Sequence, residues 1–170
     1  MKYLPINSEL FIYNRSLLAN KIKNDAIAIF NSNDIMPTNS DGTMPFKQNS
    51  DLFWLTGIDQ EESVFAIVKK NEKISELLFV KETNEHIAIW EGAKLSKELA
   101  TKNSGVQSVF WLSEMEKILS KEISAASKIY LNKNIHSRAA KVVQTRDDRY
   151  RESIQQNFPN KEILEVAPIM

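Results

Sequence analysis

The chain opens on a helical pattern. Leu10, Leu17, Leu18 and Ile22 recur near helical spacing, with Asn7 or Ser8 placed to cap the first turn and Asn24-Asp25 to end the segment. Ala26-Ile27-Ala28-Ile29-Phe30 is a short unbroken apolar run, the pattern of a strand buried on both faces. From Asn31 to Lys47 the chain is polar and carries Pro37, Asp41-Gly42 and Pro45. That predicts a long loop, and long loops in compact domains often carry function. The stretch Phe46 to Gly57 then sets aromatics among polar residues and closes on a glycine turn.

Ser63 to Val68 and Leu77 to Val80 read as strands joined through the polar connection Lys69 to Lys73. Glu85 to Gly92 contains Trp90 and ends on Gly92, a C-cap or turn. Ser96 starts a short helix, and Val106 to Trp111 reads as a strand. Ser113 with Glu116 three residues on has the form of a capping box, followed by an apolar stripe of Met115, Ile118, Leu119 and Ile123. Lys128 to Leu131 is a strand. Asp147 or Asp148 starts a helix carrying Tyr150, Ile154 and Phe158, which Pro159 closes; Ile163 to Val166 is the last strand. Strands alternating with helices predict an α/β fold, a mixed central sheet covered by helices on both faces. No linker or internal repeat divides the 170 residues, so a single domain is expected.

Charge and composition narrow the function classes. The formal net charge is zero, which argues against a partner that is nucleic acid or an anionic membrane surface. A mild asymmetry remains: residues 1–85 hold 9 basic and 12 acidic side chains, and residues 86–170 hold 13 and 10. The basic excess gathers at Arg138, Lys141, Arg146, Arg149 and Arg151, read as a solvated helix face with Asp147 and Asp148 inside it. No apolar run reaches the roughly 20 residues of a membrane helix, and the first residues lack a signal-peptide stretch. There is no cysteine, which excludes disulfides, thiolate metal sites and a Cys nucleophile, and fits a cytoplasmic location.

The common catalytic templates are missing. His86 and His136 have no partner at ligand spacing, and four glycines cannot build a phosphate or dinucleotide loop. A nuclease with two metal ions needs carboxylates at strand ends. The strand cores Ala26–Phe30, Val64–Val68 and Ile129–Leu131 contain none, and Asp25, Asp51 and Glu82 have no spacing that brings them together.

One block carries a resemblance. Pro45-Phe46-Lys47-Gln48-Asn49-Ser50-Asp51-Leu52-Phe53-Trp54-Leu55-Thr56-Gly57, followed by Glu61-Glu62-Ser63-Val64-Phe65, resembles the N-terminal domain of aminopeptidase P, of the creatinase and prolidase superfamily. Ile89-Trp90-Glu91-Gly92 with Lys94-Leu95 and Gly105-Val106 is similar to that family's Trp-x-Gly-x-x-Leu segment, and the early helix with Arg15 to its opening. The resemblance spans roughly Phe11 to Ile169. In physical terms Phe46, Phe53, Trp54 and Leu55 read as packing residues, Ser50 and Asp51 as caps or braces of the long loop, and Gly57 as a turn with positive φ. Phe46, Gln48, Asn49, Ser50, Asp51, Trp54, Thr56, Gly57 and Gly92 are therefore expected in structural roles.

The resemblance implies more. The fold would be three-layered and ribonuclease H-like in topology, without that enzyme's carboxylates. The parent would be a metal-dependent Xaa-Pro aminopeptidase, or a prolidase-like dipeptidase, whose pita-bread catalytic domain follows this one and binds two divalent metals, usually manganese. This chain, holding none of those ligands, would be an inactive fragment of that enzyme. Its partners would be its own catalytic domain, other subunits of a homo-oligomer and a peptide with proline at the second position. Trp90 would sit at an interface or at the edge of the substrate cleft. A stand-alone scaffold or binding module of the same fold is the non-enzymatic alternative.

Overall fold

In the computed structural model, residues 6–82, 84, 88–89, 92–139 and 143–170 are described. Trp90, His86 and Lys141 lie outside them. The first helix, α1, runs Ser8–Lys21, with the Asn7 side chain accepting the Glu9 N–H. Of the apolar set expected from sequence, Leu18 and Ile22 are buried and Leu10 and Leu17 are not. Phe11, Asn14, Arg15, Leu18, Ala19 and Ile22 point inward, while Leu10 and Leu17 are 50% and 39% exposed. The inward set includes two polar residues, Asn14 and Arg15, and both have hydrogen-bond partners.

Six strands form one sheet: β1 (Ala26–Asn31), β2 (Val64–Lys70), β3 (Lys73–Val80), β4 (Ser108–Trp111), β5 (Lys128–Leu131) and β6 (Glu162–Glu165). Their order is β4-β3-β2-β1-β5-β6. β1, β2 and β3 form an antiparallel meander, while β5 lies parallel to β1, β6 to β5 and β4 to β3. This is the ribonuclease H-like order that the resemblance implies. Only β2 runs against the other five. The β2–β3 connection contracts to Asn71-Glu72, both at positive φ, as a tight hairpin turn of the primed type requires.

Helices cover both faces. On one, α1 packs with α2 (Ser50–Thr56) and α3 (Lys97–Ser104) over Phe30, Phe65, Leu78 and Val80. On the other, α4 (Met115–Ala125) and α5 (Arg146–Asn157) cover Ile27, Ile29, Val64, Ala66 and Phe79. Two helix starts differ from expectation. A 3-10 turn, Leu112–Glu114, precedes α4, and the Glu114 carboxylate accepts the Trp111 N–H at 2.9 Å; Ser113 is not the cap, and its own N–H goes to Glu82. At α5 the cap is Thr145, in a capping box with Asp148.

Candidate functional site

The chain leaves β1 for α2 on one face of the sheet and leaves β5 for α5 on the other. β1 and β5 are adjacent and parallel. Their C-terminal ends therefore flank a topological switch point, where open α/β sheets form a crevice that binds ligands. Two long connections start there, residues 32–49 and a second whose described residues are 132–139 and 143–145.

The crevice is built from polar side chains placed by these ends. Asn31, 2% exposed, closes β1, and Asn132, 7% exposed, follows β5. Asn31 Nδ2 donates to Asp147 Oδ1 at 3.1 Å, and Asn49 Nδ2 donates to Asp147 Oδ2 at 3.3 Å. Asn132 Nδ2 donates to Asp51 Oδ2 at 2.7 Å. Arg146 donates to the Ser32 hydroxyl at 2.8 Å, and the same hydroxyl accepts the Ser63 N–H. Arg149 pairs with Asp34 and stays exposed, as a solvated face requires, whereas Arg146 and Arg151, the latter paired with Glu165, are partly buried and leave the solvated face expected from sequence.

Burial pushes the Asp147 carboxyl up to about 6, helped by the nearby Asp51 and Asp148 charges and opposed by the Asn31 hydrogen bond and the Arg146 charge. Burial likewise pulls the Arg146 guanidinium below its ordinary value. A carboxyl titrating near neutrality suits proton transfer. Both Asp147 oxygens are held by carboxamides, however, and the Ser32 hydroxyl is engaged by Arg146 and the Ser63 N–H rather than by the carboxyl. The arrangement fastens α2, α5 and the two long loops to the ends of β1 and β5.

The residues of the resemblance block mostly bond to backbone. The buried Gln48 donates to Ile58 O and Gln60 O and accepts the Asn49 N–H. Asn49 caps α2 by accepting from Asp51 and Leu52. Thr56 donates to Leu52 O and accepts from Ile58 N. Gly57 ends α2 at φ +67°, and a Cβ there would lie 2.2 Å from the Phe11 ring. Gln60 Oε1 accepts the Leu95 N–H, which links this block to the second resemblance segment. Phe46 is half-buried, Ser50 and Gly92 are exposed, and Gly92 has φ +78° with open space around it. Trp54 is half-buried against the core and, with Phe53, Ile6, Leu10 and Asn14, lines an open groove of about 390 Å³ between α1 and α2.

Sequence reasoning missed Asn31, Asn132 and the crevice role of Asp147. A signal existed: both central apolar runs, Ala26–Phe30 and Lys128–Leu131, are followed at once by Asn. Among the described residues no group of three or more His, Asp or Glu side chains could hold a metal ion, so they do not fit a metal pair. No helix among them is long and apolar enough to cross a membrane.

Comparison with known proteins gives the family. The sequence model for the aminopeptidase P N-terminal domain matches residues 11–130. The chain is 22% identical over 154 residues to the Xaa-Pro aminopeptidase of Escherichia coli K12, covering 90% of this chain and 35% of the relative. It is 33% identical over 91 residues to Xaa-Pro aminopeptidase 3 of Dictyostelium discoideum, covering 51% and 18%. Among solved structures, one from Bacillus anthracis, described as a candidate aminopeptidase P, superposes with a TM-score of 0.88 at 25% identity, covering 96% of this chain and 39% of that one. An E. coli aminopeptidase P variant in complex with substrate superposes with a TM-score of 0.80 at 19% identity, covering 96% and 38%. The chain thus spans about a third or less of the length of the curated relatives it matches. The match to the family model extends over most of its residues, and the chain belongs to the aminopeptidase P N-terminal domain family.

Proposed function

We propose that residues 1–170 form the single, non-catalytic N-terminal domain of a longer metal-dependent Xaa-Pro aminopeptidase, which releases an N-terminal residue preceding proline. One observation carries this reading: the chain superposes over 96% of its length on a member of the family while matching 39% of that protein. The remainder would hold the chemistry. An E. coli relative is known in a zinc-substituted form with product bound, which supports a metal in the parent. The described residues here do not fit that metal, so no step of hydrolysis is assigned to them. We assign two divalent metals, with manganese the expected pair, to the following region.

The domain would wall the substrate cleft and contribute to contacts between subunits of a homo-oligomer. The crevice at the ends of β1 and β5 supports that role, because two long loops are anchored there. Trp90 is assigned to the cleft edge or subunit interface. Absence of cysteine and a net charge of zero support a cytoplasmic setting without nucleic acid or membrane partners.

The test is to express the uninterrupted reading frame through its stop codon beside residues 1–170 alone. With added manganese and an Xaa-Pro-Xaa tripeptide, the longer product should release the first residue and residues 1–170 should not. Turnover by residues 1–170 that survives further purification would overturn the non-catalytic role. A longer product that cleaves only Xaa-Pro dipeptides would make the parent a dipeptidase.

A further inference from the structure

α1 carries an outward apolar stripe. Ile6, just before the helix cap, and Leu10, Tyr13 and Leu17 follow one another at steps of four, three and four. That spacing keeps Leu10, Tyr13 and Leu17 on one side of α1, and Ile6 joins Leu10 in lining the groove. They are 40%, 50%, 60% and 39% exposed. Isolated apolar residues are ordinary on a surface, but a continuous stripe marks an interaction surface. At its N-terminal end the stripe runs into the groove, where Phe53 and Trp54 of α2 add aromatic surface. Tyr and Trp are the residue types that anchor interfaces.

The other end of the stripe meets the end of the chain. Lys21, in the last turn of α1, donates to Met170 O at 3.4 Å, and Ile169 and Met170 pack against the core cluster that includes Leu18, Ala19 and Ile22. A polypeptide continuing past Met170 would start at the foot of the stripe. The relatives are longer: the matched part is 35% of the E. coli protein and 39% of the B. anthracis one.

We propose that Ile6, Leu10, Tyr13 and Leu17, with the groove floored by Phe53 and Trp54, seat the catalytic region that follows Met170. This rests on the reading of the chain as the N-terminal domain of a longer enzyme. The occupant is that region of the same polypeptide, which begins at the stripe and pays little entropy to reach it.

The absence of cysteine gives a clean test. Single Tyr13→Cys, Leu17→Cys and, as a control on the opposite layer, Lys121→Cys variants are made in residues 1–170 and in the product of the full reading frame. Labelling by a maleimide is followed by peptide mass mapping. In residues 1–170 all three thiols should react at similar rates. In the longer product the Tyr13→Cys and Leu17→Cys thiols should slow about tenfold or more relative to Lys121→Cys, as for a face that opens only rarely. Unchanged rates in a longer product that releases Xaa-Pro amino-terminal residues would overturn this docking surface and leave the enzyme reading intact. A frame that stops at Met170, or a longer product without that activity, would overturn the enzyme reading and with it this occupant. Protection that rises with the concentration of residues 1–170 would make a second copy the occupant. Protection in residues 1–170 independent of concentration would place the occupant within the chain. Either result would overturn the proposal.

Discussion

Replacing Arg15 with Met should cost this domain about 3–5 kcal/mol, the range for breaking a buried charge network. Arg15 is 1% exposed, yet it lies on the inner face of α1. Its Nη1 donates to Leu55 O at 2.8 Å and to Ser104 O at 2.9 Å. Those carbonyls belong to the last turns of α2 and α3, which both end on a left-handed glycine, Gly57 and Gly105. One cation thus satisfies the open carbonyls of two helices and faces the negative ends of both dipoles. Its Nε lies 2.9 Å from Glu76 Oε1, and its guanidinium sits 5.8 Å from the centre of the Phe65 ring. Methionine fills much of the stem volume but leaves two buried carbonyls without donors, at about 1–3 kcal/mol each. Glu76 is 28% exposed and can recover part of its hydration, so its loss adds less. The assay is urea unfolding at pH 7 followed by tryptophan fluorescence and circular dichroism. For a chain of this size the loss corresponds to roughly 6–20 °C in Tm. A loss for Arg15→Met within about 1 kcal/mol of zero, the scale of an exposed ion pair, would refute the reasoning. So would an equal loss in Glu76→Gln, since that would place the stabilisation in the ion pair and not at the helix ends.

Gln48→Ala removes three hydrogen bonds to backbone groups and should cost about 2–4 kcal/mol by urea unfolding, with faster proteolysis in residues 57–60. Asp147 sets a pH dependence. Its folded pKa, about 6, lies above the ordinary 3.8, so the folded state holds the proton more tightly. The stabilisation from that proton is complete below about pH 4 and is lost as pH rises through 6. Asp147→Asn keeps a neutral group at all pH. Its stability relative to the parent should therefore rise between pH 4 and pH 7.5, by at most about 3 kcal/mol. Parallel stability curves for the two proteins across that range would count against a raised pKa.

The β-structure was legible where burial is two-sided. The run Ala26 to Phe30 and the segment Lys128 to Leu131 lie within or match strands, because a central parallel pair must be apolar on both faces. α1 was legible as a helix but not in its orientation. Counting leucines puts Leu10 and Leu17 inside; the fold puts Asn14 and Arg15 there. Their partners, Trp54, Leu55 and Ser104, lie 40 to 89 positions away, beyond any local pattern. The same distance hid the crevice. Asp147 is local to α5, but its partners Asn31 and Asn49 come from β1 and from the cap of α2. α2 was not read as a helix at all, being seven residues of mixed aromatic and polar character. The other helix starts were legible to within a turn, and the choice among neighbouring polar residues was made by contacts the sequence does not display. Glu114 displaced Ser113 as the capping group because it reaches back to Trp111 N.

α2 draws these observations together and yields a last prediction. It has seven residues, far short of the roughly 12–15 that an isolated helix needs. It is held at both ends: Asn49 caps it and donates to Asp147, and Arg15 takes its C-terminal carbonyl at Leu55. The ends are roughly 10 Å apart along the helix axis, so Arg15 and Asn49 act on each other only through α2 itself. If α2 behaves as one strut, releasing one end already frees much of it, and releasing the other then costs less. In a double-mutant cycle of Arg15→Met and Asn49→Ala, the combined loss should fall short of the sum of the single losses by about 0.5–2 kcal/mol. Residues this far apart without a shared element add to within about 0.5 kcal/mol. Additive losses would therefore show two independent anchors. A shortfall would mean that the wall of the α1–α2 groove and the edge of the crevice are positioned by one short helix, so that loosening either end disturbs both.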